Sequence, residues 1–101
     1  MRINMYLGVL NMENKIVLKV GMKSVPNSVA GAISAYIKKG NVIEVVAMGP
    51  EAVNQANKAM IVAYGWLIQS GIHVSFTPSF ADLEIDGRIK TAIRWTVKKE
   101  G

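Results

Sequence analysis

Three polar residues, Lys23, Ser24 and Asn27, follow a short apolar strand and stand at the start of a predicted helix. The first N–H groups of a helix have no partner within it, and the helix dipole places partial positive charge at that end. Such a terminus favours an anion, and a lysine within reach adds charge. We therefore predict a phosphate-binding corner here. The alternative is a plain turn in which Asn27 or Ser28 is the N-cap, which leaves only Lys23 without a structural role.

Lys58 is a further candidate for the same corner. It lies near the start of a second predicted helix, one turn after Asn54. If that helix begins beside the first loop, the ammonium group of Lys58 can join the anion site. The alternative is an exposed helix surface, where a lysine needs no ligand.

A second set of cations alternates along the last predicted strand. The set consists of Arg88, Lys90, Arg94 and Lys98. Successive residues of a strand point to opposite sides, so these side chains share one face and can neutralise phosphates along a nucleic-acid backbone. Arg88 and Lys90 lie nearest the type I′ hairpin turn that Asp86–Gly87 predicts, so they are best placed to reach a groove. The alternative is an ordinary solvated face of an antiparallel sheet.

Neither a metal site nor a catalytic constellation is predicted. Asp82, Glu84 and Asp86 resemble the start of a calcium-binding loop. The acid required at the end of such a loop would fall on Ile93, and no helices flank the segment. The single histidine, His73, has no acid or nucleophile pattern around it, which favours a structural role. We expect no cofactor, no metal and no enzymatic activity.

The composition favours a single basic domain with an anionic partner. The chain has 101 residues, 50% of them hydrophobic, and a formal net charge of +5. Such a charge favours nucleic acid as a partner, although ordinary solubility alone also explains it. No cysteine is present, no apolar run approaches the roughly 20 residues of a membrane span, and no signal peptide is recognisable. We expect a cytoplasmic protein without membrane contact.

The order of the predicted elements indicates the fold. Apolar periodicity predicts strands at 15–20, 42–48, 72–85 and 88–98, with helices that start near residue 27 and at residue 50. The order β-α-β-α-β-β contains two crossover units and a closing hairpin. This predicts an α/β fold, an α+β two-layer sandwich in which a four-stranded mixed sheet carries two helices on one face. Pro78 then requires an edge strand or a bulge.

The second predicted helix carries more apolar surface than one sheet can cover. Its main stripe consists of Ala52, Val53, Ala56, Ala59, Met60, Ala63, Trp66 and Leu67. Ile61, Val62 and Tyr64 lie off that stripe, which favours a dimer contact through this helix.

The first residues form a separate segment. Residues 1–14 are predicted to be an N-terminal extension, and residues 15–101 the domain itself. The apolar side chains within residues 1–11 favour an extra edge strand or an oligomer contact.

Three segments resemble the bacterial stage V sporulation protein S family. They are KVGMKSVPNSVAGAI at 19–33, AMGPEAVNQANKA at 47–59 and FTPSFADLEIDGRIKTAI at 76–93. The resemblance covers about residues 12–98 in order. That family is similar to Alba, the archaeal chromatin protein, whose β-α-β-α-β-β topology matches the order predicted above. The resemblance implies an Alba-like homodimer, or a tetramer, that is linked to late sporulation and binds nucleic acid.

The resemblance also implies where nucleic acid would bind. In Alba proteins the loop between the first strand and the first helix carries lysines that contact DNA, and the terminal hairpin embraces the minor groove. Together with the patterns above, this gives the predicted nucleic-acid-binding residues Lys23, Ser24, Asn27, Lys58, Arg88, Lys90 and Arg94.

We thus predict a non-enzymatic regulator of late sporulation that binds DNA or RNA mainly through backbone phosphates. One alternative is a sporulation assembly module that binds protein instead, which the acids before Gly87 favour. The other alternative is a sensor that binds a small anionic ligand at the first loop.

Overall fold

In the computed structural model, which describes residues 14–101, a mixed four-stranded sheet carries two helices on one face. The elements are β1 (Lys15–Val20), α1 (Pro26–Lys38), β2 (Val42–Ala47), α2 (Pro50–Gln69), β3 (Val74–Ile85) and β4 (Arg88–Lys99). This confirms the predicted fold class and the order β-α-β-α-β-β. Neither α1 nor α2 combines the length and the apolar content needed to cross a membrane. The predictions for residues 1–11 concern a segment outside the described residues.

The sheet has the strand order β1-β2-β4-β3. β1 and β2 are parallel, whereas β4 runs antiparallel to both of its neighbours, β2 and β3. β3 is therefore an edge strand, and Pro78 lies within it opposite Trp95. Proline has no N–H to donate to a neighbouring strand, so a sheet tolerates it at an edge. An edge strand is one of the two positions predicted for Pro78.

The core lies between the helices and one face of the sheet. The sheet residues of the core alternate along each strand, as expected for a half-buried sheet; they are Ile16, Val20, Ile43, Val45, Ala47, Val74, Trp95 and Val97. From α1 the core receives Ile33 and Ile37. The residues from α2 are mostly small, which lets this helix approach closely; they are Ala52, Ala56, Ala59, Met60, Ala63 and Leu67.

The placement of Trp66 in the buried stripe of α2 is wrong. Trp66 is 43% exposed, whereas its neighbour Leu67 is fully buried. Leu67 follows Ala63 by four residues and continues the face that contacts the core, so Trp66 is rotated away from that face. The small side chains of the alanines form a narrow contact face on α2. The larger Trp66 lies at the edge of that face and stays partly exposed.

The predicted N-cap of α1 is also wrong. The helix begins at Pro26, and the residue before it, Val25, occupies the N-cap position without a side-chain hydrogen bond. Proline is favoured at the first helical position because its φ is preset and it lacks an N–H that needs a partner. Asn27 and Ser28 therefore lie in the first turn instead of capping it.

The closing hairpin extends beyond the rest of the sheet. The last pair between β2 and β4 joins Ala47 to Ile93, so the hairpin continues from there to its tip as a two-stranded ribbon. At the tip, Asp86 and Gly87 have φ angles of 53° and 77°. Positive φ at both central residues is the signature of a type I′ turn, which confirms the turn predicted from the Asp-Gly pair.

Candidate nucleic-acid interface

Hydrogen bonds fix the loop between β1 and α1. The Ser24 N–H donates to the Gly21 carbonyl at 3.1 Å, and the Ser24 Oγ accepts from the Gly21 N–H at 2.9 Å. The Gln55 Nε2 on α2 donates to the Ser24 carbonyl at 2.9 Å. The start of α2 is thereby attached to the loop. The role of Gln55 was not predicted, because no local pattern in the sequence indicates a contact across 31 positions.

One backbone donor of α1 remains available at this corner. Pro26 has no N–H, and the N–H groups of Ser28 and Val29 both donate to the Val25 carbonyl, at 3.0 and 3.1 Å. Within the described part of the chain, the N–H of Asn27 has no such partner. The anion-binding potential of the helix end is therefore concentrated at Asn27.

Lys58 lies beside the same helix start. Lys58 and Asn27 line one surface depression of about 510 Å³, together with Val25, Ile61 and other apolar residues. Lys58 was predicted to join the anion site if the second helix begins beside the first loop, and α2 does begin next to that loop. Lys23, Asn27 and Lys58 are all exposed.

These residues are called the corner group below, and its members are Lys23, Ser24, Asn27 and Lys58. The Ser24 Oγ already accepts a hydrogen bond, and its hydroxyl hydrogen can still donate to an anion. The group thus offers two ammonium groups, an amide, a hydroxyl and a backbone N–H. Donors of these kinds bind phosphate oxygens without reading a base sequence.

The predicted cations of β4 lie on the other side of the sheet. Arg88, Lys90 and Arg94 alternate with the residues that continue the core face, so they point away from the helices. Arg94 is half-buried, because its Nε donates to the Ser79 Oγ at 3.1 Å and one terminal nitrogen donates to the Phe80 carbonyl at 3.4 Å. Arg88 and Lys90 are exposed near the ribbon tip.

Two of the acids near the tip point to the opposite side of the ribbon from these cations. Asp82 lies opposite Thr91, and Glu84 lies opposite Ile89, both of which continue the core face. The Thr91 hydroxyl donates to the Asp82 Oδ1 at 3.4 Å. Residues 82–85 of β3 also line a depression of about 510 Å³, together with Lys19 of β1 and Gly21 of the following loop.

The seven predicted residues therefore form two sets in one protomer. The corner group lies where the loop meets α1 and α2, and the β4 cations lie on the uncovered side of the sheet. Gly21, at the start of the loop, shares a depression with the ribbon residues 82–85, so the start of the loop lies near the ribbon. Lys19 is not among the predicted binding residues, although its alternation with Val20 indicates a side chain that faces away from the core.

A protein-family model matches almost the whole described part of the chain. It is the model of stage V sporulation protein S (SpoVS), and it matches residues 16–100. The chain belongs to this family. The match includes both sets of candidate residues and confirms the resemblance carried by the three segments quoted above. This is a protein of the sporulation process.

Proposed function

We propose that this SpoVS family member is a non-enzymatic nucleic-acid-binding protein that regulates late sporulation and contacts mainly backbone phosphates. One observation carries the proposal. Within residues 14–101 the only ion pair joins Lys15 to Glu44 at 3.3 Å, so the cations of the corner group and of the ribbon are not neutralised by carboxylates. Exposed, unpaired cations are the groups that displace counterions from a nucleic-acid backbone.

The shape of the closing hairpin supports the proposal. A two-stranded ribbon fits into a groove of duplex DNA, and Arg88 and Lys90 lie beside its tip. Asp82 and Glu84 point to the other side of the ribbon, which reduces their repulsion of a phosphate facing Arg88 and Lys90. The resemblance of the SpoVS family to Alba implies the same two contact regions.

A homodimer, or a tetramer built from it, would multiply the few contacts of each chain. An apolar depression of about 610 Å³ lies between α2 and β3 and is lined by Ile61, Tyr64, Phe76 and Pro78, among others. Ile61 and the nearby Phe80 are 71% and 76% exposed. Contiguous exposed apolar surface of this kind favours a second copy of the chain as its partner.

The second candidate function is an assembly module of sporulation that binds protein and not nucleic acid. The state of Arg94 favours it, because two internal hydrogen bonds hold its guanidinium against β3 and limit its reach towards a phosphate. The same exposed apolar surface along α2 and β3 would then contact a different protein.

Fluorescence anisotropy with labelled duplex DNA and duplex RNA tests the proposal. We expect affinity to fall steeply from about 50 to about 200 mM salt, because bound phosphates release counterions. Lys23→Glu should lower the affinity and reduce the salt slope by about 0.9 for each phosphate that the variant no longer binds. Lys38→Glu is the matched control, since Lys38 is exposed at the opposite end of α1.

The two candidate functions give different results in this experiment. If neither duplex is retained at low salt, the nucleic-acid function is wrong and the assembly module remains. If Lys23→Glu and Lys38→Glu weaken binding equally, binding follows net charge alone and the corner group has no particular role.

A further inference from the structure

The side of the sheet that faces away from the helices carries a second cationic surface. In the four-stranded part of the sheet, its charged residues are Lys15 and Lys19 on β1, Glu44 on β2, and Arg94 and Lys98 on β4. We call this surface the open face. Four cations and one carboxylate give it a clear excess of positive charge, and Arg88 and Lys90 continue it along the ribbon.

The register brings these cations close together. Lys19, Val46, Arg94 and Ser79 lie side by side in one row across the four strands. Because neighbouring strands are about 4.8 Å apart, the backbones at Lys19 and Arg94 are about 10 Å apart. Lys98 follows Arg94 by four residues on the same side, about 13 Å along the strand.

Two apolar residues of the open face, Val46 and Ala92, are buried. Val46, between Lys19 and Arg94, is buried, although no helix lies on this side. The aliphatic parts of lysine and arginine cover apolar neighbours while their charged ends stay in water. The arrangement leaves the ammonium group of Lys19 in water, whereas two hydrogen bonds hold the Arg94 guanidinium against β3.

The sole carboxylate of the open face is already engaged. Glu44 is only 17% exposed and forms its ion pair with Lys15 at 3.3 Å. Lys19 and Lys98 are exposed and have no ion pair among the described residues. The free positive charge is thus concentrated at Lys19 and Lys98, while the half-buried Arg94 is hydrogen-bonded to β3.

The chemistry of the open face favours a duplex backbone over single strands. Its uncharged residues on β3 and β4 are Ser75, Thr77, Ser79, Ala81, Leu83, Ile85, Ala92 and Thr96, and none of them is aromatic. Binding of single strands relies on aromatic side chains on which bases stack. A regular array of phosphates needs only cations and hydroxyl donors at intervals.

We propose that the open face is a second surface for duplex nucleic acid, on which Lys19 and Lys98 contact backbone phosphates separately from the corner group. The inference rests on the proposed function and extends it to residues that the loop and the ribbon tip do not include. The excess of positive charge on the open face is complementary to the negative charge of a nucleic-acid backbone, which is therefore the partner we propose for it.

Paired neutral variants test the inference. Lys19→Gln with Lys98→Gln removes two charges from the open face, and Lys38→Gln with Lys99→Gln removes two exposed charges elsewhere. Lys99 is the closer match in the control pair, because it follows Lys98 directly in β4 but its side chain points to the other side of the sheet. We expect the open-face pair to lower the salt slope of duplex binding by about 0.9 per lysine, and the control pair to leave the slope unchanged.

A variant that gains affinity provides a second test, because misfolding of a variant would lower its affinity for a duplex and not raise it. Glu44→Gln removes the carboxylate and releases Lys15, so duplex affinity should rise and the salt slope should steepen by about 0.9. Glu51→Gln removes an exposed carboxylate from the first turn of α2, on the side of the corner group, and shows how much affinity one lost carboxylate adds away from the open face. Unchanged affinity in Glu44→Gln contradicts the inference.

The remaining outcomes separate the inference from the proposed function. If Lys23→Glu weakens duplex binding and the open-face pair does not, the open face is no duplex surface but the proposed function stands. If the wild-type protein binds no duplex, both are wrong. Polyglutamate is the probe for an acidic protein partner, and loss of polyglutamate binding without loss of duplex binding in the open-face pair would also overturn the inference.

Discussion

A single side chain, Gln55, connects the loop between β1 and α1 to α2 by a hydrogen bond. Its Nε2 donates to the Ser24 carbonyl at 2.9 Å, and no other side-chain hydrogen bond among residues 14–101 joins this loop to α2. Gln55 therefore helps to hold the loop residues of the corner group beside α2, although it carries no charge itself. It is a positioning residue for Lys23 and Asn27.

We expect Gln55→Ala to lower the free energy of unfolding by about 0.5–1.5 kcal/mol, the usual net contribution of one hydrogen bond. Urea unfolding followed by circular dichroism measures this change. Asn54→Ala is the control, since Asn54 is exposed on the same turn. Equal destabilisation by both variants would mean that the bond to Ser24 contributes nothing specific.

At the level of the elements, the ribbon depends on its turn. Gly87 has a φ of 77°, and a Cβ added there would meet nothing within 4 Å. The cost of a side chain at Gly87 is therefore conformational and not steric. The left-handed region costs an L-residue about 1–2 kcal/mol.

Gly87→Ala should destabilise the protein by about that amount, 1–2 kcal/mol, and loosen the ribbon at its tip. Amide hydrogen exchange of β3 and β4 measures both effects. Gly31→Ala, in the middle of α1 with open space around it, is the control, and it should stabilise the helix by roughly 0.5–1 kcal/mol. Faster exchange in Gly31→Ala than in Gly87→Ala would contradict this account.

The elements also show how far the sequence alone could go. Alternation and turn chemistry predicted β1, the hairpin and its Asp86–Gly87 turn, because these signals are local. The N-cap of α1 was mispredicted because Pro26 outweighs the capping tendency of Asn27 and Ser28. Trp66 was misplaced because periodicity alone cannot tell which of two adjacent apolar residues meets the core.

The candidate site was predictable only in part for a related reason. Each cation could be assigned to one side of its own strand, but the row that joins Lys19 to Arg94 depends on the register of three strands. The contact of Gln55 with Ser24 likewise depends on where two helices start in space. Both are tertiary facts without a local signal.

At the scale of the whole molecule, the apolar surface along α2 and β3 is where we propose that two chains associate. If two copies meet there, a charge placed in the centre of this surface must be buried without a partner, which is costly. Ile61→Glu should therefore shift the protein from dimer to monomer, as measured by sedimentation equilibrium. Gln69→Glu places the same charge at the exposed end of α2 and should leave the mass unchanged. A monomeric wild-type protein would refute the dimer directly.

Pro78 bears on the kind of assembly that can form. It interrupts the hydrogen-bonding edge of β3 near its middle, opposite Trp95, and the outer rim of the sheet lacks a donor at that point. An edge strand with all of its backbone donors and acceptors free can pair with strands of further chains, and repeated pairing of this kind leads to fibres. With one donor missing near its middle, this rim is a poorer template for an added strand, so we expect β3 to disfavour open-ended growth by strand addition.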